Sequence, residues 1–118
     1  MASSDVVLLA VADVDLRRSL EFLLGSAGFQ ASPYPSMVEA FESADARHAV
    51  CAIVDDAAVE DWIQARKAFR IFARPIILLV TFFRAMPELP QLKILLKPFL
   101  GEPLLDAVRH AVAGGRSG

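Results

Sequence analysis

An α/β fold, with a parallel sheet covered by helices on both faces, is what this sequence predicts, and three observations carry the prediction. Short, unbroken apolar runs recur at Val6–Val11, Ala49–Val54 and Ile76–Val80, and a shorter one, Ile94-Leu95-Leu96, follows Lys93. Runs that do not alternate with polar residues are the mark of strands buried on both faces. The segments between them change to a helical period, so that strand and helix alternate five times along the chain. Such alternation closes as a parallel sheet with right-handed crossovers. The chain has 118 residues, of which 55% are apolar. That is one domain, greasier than the usual ~45–50%, as a core on two faces of one sheet demands.

The first strand is Val6–Val11, and Asp13 follows it as a natural N-cap. Leu16, Leu20, Leu23, Leu24 and Ala27 then form the stripe of an amphipathic helix, which Gly25 and Gly28 bring to an end. Phe29–Ser32 is a short edge strand that Pro33 and Pro35 are expected to stop. Ser36 with Glu39 reads as a capping box, opening a second helix that runs to about Ala44. Ala49–Val54 is the third apolar element and leads into Asp55-Asp56. Val59–Phe72 is helical by period until Pro75 breaks it, and Ile76–Val80 is the strongest strand signal. Between Thr81 and Leu89, Pro87 and the following Pro90 leave room for a turn or two of helix. Lys93–Leu96 is the last strand. The last helix, Leu104–Ala113, has Pro103 in its first turn, where the missing N–H is tolerated. The domain is thus expected over residues 5–113, with 114–118 a flexible, glycine-rich tail.

Charge and composition remove several classes of function. A net charge of -2 gives no electrostatic reason to expect nucleic acid on this domain. The densest basic stretch, Arg66, Lys67, Arg70 and Arg74, sits at helical spacing and reads as a solvated helix face. Cys51 is the lone cysteine, so there is neither a disulfide framework nor a zinc set. No run approaches the ~18 apolar residues of a membrane span, and the N-terminus lacks a basic leader. A cytoplasmic protein without membrane association is expected. Gly25 and Gly28 follow a helix rather than a strand and make no nucleotide loop. His48 and His110 read as surface residues, and Glu60 and Asp61 are helix neighbours that do not face each other. No catalytic constellation appears, and no enzymatic activity is expected.

What remains is a pair of strand ends. Asp55 closes the third apolar run and Lys97, before Pro98, closes the fifth. Open α/β sheets place their chemistry at the carboxyl ends of the strands. A carboxylate and an ammonium delivered to one such edge suggest phosphate or carboxylate recognition.

With five strand–helix units, an aspartate ending the third strand and Lys-Pro ending the fifth, the chain resembles a response-regulator receiver domain. The likeness spans roughly Val6 to Ala113. It is closest in Asp13–Leu20, in Cys51-Ala52-Ile53-Val54-Asp55 and in Leu96-Lys97-Pro98-Phe99. The resemblance implies a flavodoxin-like three-layer sandwich with a five-stranded parallel sheet of order 2-1-3-4-5. It also implies a phosphoryl group passed from a histidine kinase to the third-strand aspartate, with Mg²⁺ held by that aspartate and an acidic pair after the first strand. Asp55 falls on the phosphoacceptor and Lys97 on the phosphoryl-binding lysine. The acidic pair is absent, because its positions hold Val11 and Ala12, and only the next acidic position is kept, by Asp13. Asp56 is a further candidate metal ligand. Counting from Pro75 places Val80 on the family's switch hydroxyl, with Thr81 one residue late as the remaining phosphate-contact candidate. The link between the fourth and fifth strands is several residues shorter than the family's, so the fourth helix is expected to be shortened or missing.

Mg²⁺ needs near-octahedral oxygen ligation, and a hydrocarbon in place of a carboxylate removes a ligand. The sequence therefore reads as a degenerate receiver, a phosphorylation-independent signalling or protein-interaction module with no cofactor. Two alternatives stand beside it. One is a working phosphoacceptor, using Mg²⁺ at Asp13, Asp55 and Asp56 and partnered by a histidine kinase. The other is a small-ligand binder using the crevice at the strand ends. Phe82, Phe83, Met86 and Leu89 lie in the shortened link, where cover is least assured, and are candidates for contact with a protein partner or a second copy. A constitutive homodimer is the expected arrangement.

Overall fold

The structure, a computed structural model, describes residues 5–80, 89, 91–96 and 101–116. Five strands form one all-parallel sheet: β1 (Val6–Ala10), β2 (Gln30–Tyr34), β3 (Cys51–Asp55), β4 (Ile76–Val80) and β5 (Leu92–Leu96), in the order β2-β1-β3-β4-β5. Four α-helices are described: α1 (Val14–Ser26), α2 (Met37–Glu42), α3 (Trp62–Phe72) and α4 (Gly101–Arg116). This is the flavodoxin-like, three-layer architecture expected of the sequence.

The two-residue period of the strands divides the core into two layers. Leu8, Ala10, Ala52, Val54, Ile76, Leu78 and Val80 pack against Met37 and Ala40 of α2 and Ala65, Phe69 and Phe72 of α3. Val7, Leu9, Val11, Cys51, Ile53, Ile77 and Leu79 pack on the opposite face against Leu20 and Leu24 of α1 and Leu104, Leu105, Val108 and Val112 of α4. Both faces are apolar because both are covered, which is why the strands read as unbroken runs. Cys51 sits fully buried in the central strand, and burial pushes its thiol up to about 12, so it behaves as a small hydrophobe.

The helix ends follow local chemistry. Asp13 Oδ1 accepts from the N–H of Asp15 at 2.9 Å and of Leu16 at 3.3 Å, capping α1. Gly28, at φ +92°, donates to Gly25 O, and Phe29 N–H reaches back to Leu24 O at 2.9 Å. Those two bonds make a Schellman stop, and they need a residue tolerant of positive φ at position 28. Ser36 Oγ accepts from Glu39 N–H at 3.2 Å and donates to the Glu39 carboxylate, so the pair caps α2 much as its spacing predicts.

Several boundaries differ from the sequence reading. β2 runs through Pro33 to Tyr34, because it is an edge strand whose outer side needs no donors, and Pro33 pairs in register with Leu9. α2 stops at Glu42 and gives way to a 3-10 turn at Ala44–Arg47. α3 begins at Trp62, not Val59, because the Asp61 carboxylate caps it, accepting from Ile63 N–H at 2.9 Å and Gln64 N–H at 3.3 Å. Asp56 instead opens a short 3-10 turn, Asp56–Ala58. α4 starts at Gly101 and is helical to Arg116, past the Ala113 where the sequence reading ends it. The expected shortening of the helix between β4 and β5 falls on residues 81–88, which lie outside the described residues, as do Phe82, Phe83 and Met86. Leu89 is half-buried against the α2–α3 layer.

Candidate functional site

The carboxyl ends of β1, β3 and β4 meet at one edge of the sheet, and Asp55 stands at its centre. It is the last residue of β3, pairs in register with Leu79, and is 2% exposed. Alternation along β3 turns its side chain to the face of Ile53, the α1–α4 side. A carboxylate buried this deeply requires partners, and both Asp55 and Asp56 are engaged within the chain. Val11 follows β1, one step beyond the Ala10–Val54 pair, and is fully buried on the same face. Val80, which the count from Pro75 places on the switch hydroxyl, packs in the opposite α2–α3 layer. Thr81 and Lys97 lie outside the described residues.

Two further groups decide what the β1–α1 turn can do. Asp13 is exposed and points its carboxylate back into its own helix as the α1 cap. Arg17, one turn into α1, folds its guanidinium over the turn, donating to Val11 O at 2.8 Å and Ala12 O at 3.4 Å. The two positions that would carry the family's acidic pair therefore present an isopropyl group, a methyl group and two carbonyls already bound by a cation. The sequence reading does not single out Arg17, because the contact depends on where its flexible side chain folds back.

Mg²⁺, which the receiver fold implies, does not fit these residues. A hard divalent cation needs several carboxylate or carbonyl oxygens. Here a fixed guanidinium holds the oxygens nearest the first strand and adds like charge. Among the described residues no three His, Cys, Asp or Glu side chains are grouped so as to hold a metal. His48 is exposed at the end of the 3-10 turn. His110 is exposed on α4 beside Arg109, which pairs with Asp106 at 3.7 Å and Glu102 at 4.0 Å.

A polar cluster that the sequence reading missed lies at the other side of β2. The hydroxyls of Ser32 and Tyr34 both donate to Asp45 Oδ2, the latter at 2.9 Å, and His48 lies near enough to act on the carboxylate. The Ser32 bond first, then the Tyr34 bond and the imidazole, hold Asp45 below its ordinary value of 3.8. Separations of 11 and 13 residues give such a cluster no local signature. The cluster ties the 3-10 turn to β2, with Tyr34 at that strand's carboxyl end.

A parallel sheet of order 2-1-3-4-5 between two helical layers, with a buried aspartate ending its third strand, defines a response-regulator receiver domain. The chain belongs to that family. It is 32% identical over 117 residues to the transcriptional regulator protein FixT of Rhizobium meliloti (strain 1021), a match that covers 98% of this chain and 100% of FixT. Among solved structures, it is similar to a response regulator receiver protein from Sinorhizobium medicae WSM419, with a TM-score of 0.78 at 24% identity over 96% of this chain and 98% of that one. It is also similar to the signal receiver domain of an HD domain-containing protein from Pseudomonas fluorescens Pf-5, with a TM-score of 0.80 at 17% identity over 98% and 100%. At these identities the two structures speak to the fold. No protein-family model matches the chain. No described helix is long and apolar enough to cross a membrane.

Proposed function

We propose that this chain is a degenerate receiver, a signalling module that works through protein contacts without phosphorylation and without catalysis of its own. The observation that carries the reading is Arg17 bonded to the carbonyls of Val11 and Ala12, where a phosphorylatable receiver needs two carboxylates. Receiver chemistry depends on a divalent cation to offset charge on the incoming phosphoryl group, and this turn supplies no ligand set for one. The scaffold is kept, with a buried core on both faces and Asp55 as a strand-end carboxylate. Kinship to a transcriptional regulator supports a regulatory output. The net charge of -2 favours a protein partner over direct contact with nucleic acid. That partner is a second copy or another signalling protein, met in part through Phe82, Phe83, Met86 and Leu89.

The test is phosphoryl transfer. With Mg²⁺ and acetyl phosphate or beryllofluoride, the intact mass and the amide NMR spectrum are expected to stay unchanged. Val11→Asp combined with Ala12→Asp and Arg17→Ala is expected to restore measurable Mg²⁺ binding. Stable phosphorylation of the unaltered chain at Asp55 would make the phosphoacceptor reading, with a histidine kinase as partner, the correct one.

A further inference from the structure

α3 is an unusual helix for the surface of an acidic chain. From Trp62 to Phe72 it carries Arg66, Lys67 and Arg70, all exposed, and no carboxylate. On the same outer surface Ile63 is 71% exposed and Ile71 is 84% exposed. Lys67 lies between them, at i+4 from Ile63, so the three residues form one stripe along the helix. A solvated helix face has no use for two bare isoleucines, since each leaves apolar surface in water.

The stripe borders a concave surface. Between α2 and α3 lies an open groove of about 630 Å³, with Phe41 and Phe72 in its floor and Val38, Lys67 and Ile71 along its sides. In the floor the Phe41 and Phe72 rings meet edge to face at 5.3 Å between centroids. At one end Arg74 lies 4.2 Å over the Phe72 ring. Its guanidinium donates to the carbonyls of Phe72, Arg47, Ala49 and Ala46. Those bonds occupy four of its five N–H donors, so its main contribution is charge in the field of the groove, while the Arg47 and Lys67 side chains are exposed and available to a ligand. Among the described residues Glu42 is the one carboxylate on the lining.

We propose that this α2–α3 groove binds an acidic amphipathic helix of another protein. An apolar floor bounded by two helices suits a third helix laid along it, with anchors at i, i+3 or i+4, and i+7. The basic rim selects carboxylates on the flanks of that helix. Charge also argues against a second copy seated symmetrically, since a two-fold contact would bring Lys67 and Arg70 of both copies together. Nucleic acid would match the cations but leave the aliphatic stripe and the phenylalanine floor without partners. The proposal rests on reading the domain as an interaction module, and gives that module its surface and the chemistry of its partner.

The probe is a synthetic peptide of about five helical turns, with leucines on one face and glutamates on the other. Its twin has lysine at every glutamate. Each is titrated into ¹⁵N-labelled protein in EDTA without phosphodonor. Amide shifts confined to α2 and α3 are expected, with the acidic peptide at least about tenfold tighter than its twin. Lys67→Glu and Ile71→Asp, both at exposed positions, are each expected to weaken it about tenfold or more while leaving the rest of the spectrum in place. No shifts at millimolar peptide, shifts centred elsewhere, or equal binding of the twin would overturn the proposal. So would binding to phosphatidylglycerol vesicles that Ile71→Asp abolishes in the absence of any peptide binding, which would assign the face to a membrane. Loss of a native dimer on Ile71→Asp would assign it to a second copy and overturn it equally. Failure here leaves the phosphorylation-independent reading standing, since that reading falls only on phosphorylation at Asp55.

Discussion

Individual side chains hold this fold together at points where the chain crosses itself, and Arg74 and Asp45 show how. Arg74 joins the end of α3 to the 3-10 turn and the start of β3 through Ala46, Arg47 and Ala49. Desolvation lowers its pKa, yet an arginine keeps its charge over any accessible pH. Arg74→Ala leaves those carbonyls without their donor and is expected to lower the unfolding free energy by about 2 kcal/mol or more. Arg74→Lys is expected to recover little, because an ammonium lacks the planar fork. Urea melts of the three proteins check both statements, and a change in Arg74→Ala within about 0.5 kcal/mol would refute them. Asp45 gives a pH dependence. Its folded pKa lies below its ordinary value, so the stability it adds is complete above about 3.8 and is lost as pH falls through the folded value. The Tm difference between wild type and Asp45→Asn is therefore expected to be constant near neutrality and to shrink as pH drops below 4. A gap that widens on acidification would contradict the assignment.

Helices and strands here start and stop mostly where short-range chemistry tells them to. Asp13, Ser36 and Gly28 are all readable as caps or stops from their neighbours alone. The end of α3 is different. Pro75 marks a boundary, but the chain turns at Ala73, which adopts a left-handed conformation at φ +58°. A residue with a Cβ there costs about 1–2 kcal/mol, while glycine gives back part of that through the freedom it adds to the unfolded chain. Ala73→Gly is accordingly expected to stabilise the protein by about 0.5–1 kcal/mol, measured as a higher urea midpoint at unchanged slope. A lower midpoint would show that the turn is not strained. The strand through Pro33 was hidden for the opposite reason, because whether a proline can lie in a strand depends on that strand having a neighbour on one side only.

Taken whole, the molecule is apolar for its size, at 55%, and leaves Phe22, Ile63 and Ile71 largely exposed. Such a surface in a small domain points to association. A constitutive homodimer through the segment containing Phe82, Phe83, Met86 and Leu89, with α4, is the expected state in the absence of another partner. Light scattering on wild type and Phe83→Glu measures it. A wild type monomeric at high micromolar concentration, with the variant no different, would withdraw that surface.

The strands, the amphipathic faces of the helices and most of their caps were written in windows of a dozen residues or fewer, because burial on two faces leaves a continuous apolar run and a capped helix needs only its own first turn. The same windows placed Asp55 at a strand end, and the resemblance to receiver domains put Val11 and Ala12 where that family carries carboxylates. Tertiary structure decided what those positions meet. Arg17 turns back over the β1–α1 turn, Ser32 and Tyr34 converge on Asp45, and a basic stretch that read as a solvated helix face borders an apolar groove. Each of these depends on where a flexible or charged side chain finds a partner, often many residues away, and only packing of the two layers on the sheet brings such partners within hydrogen-bonding reach.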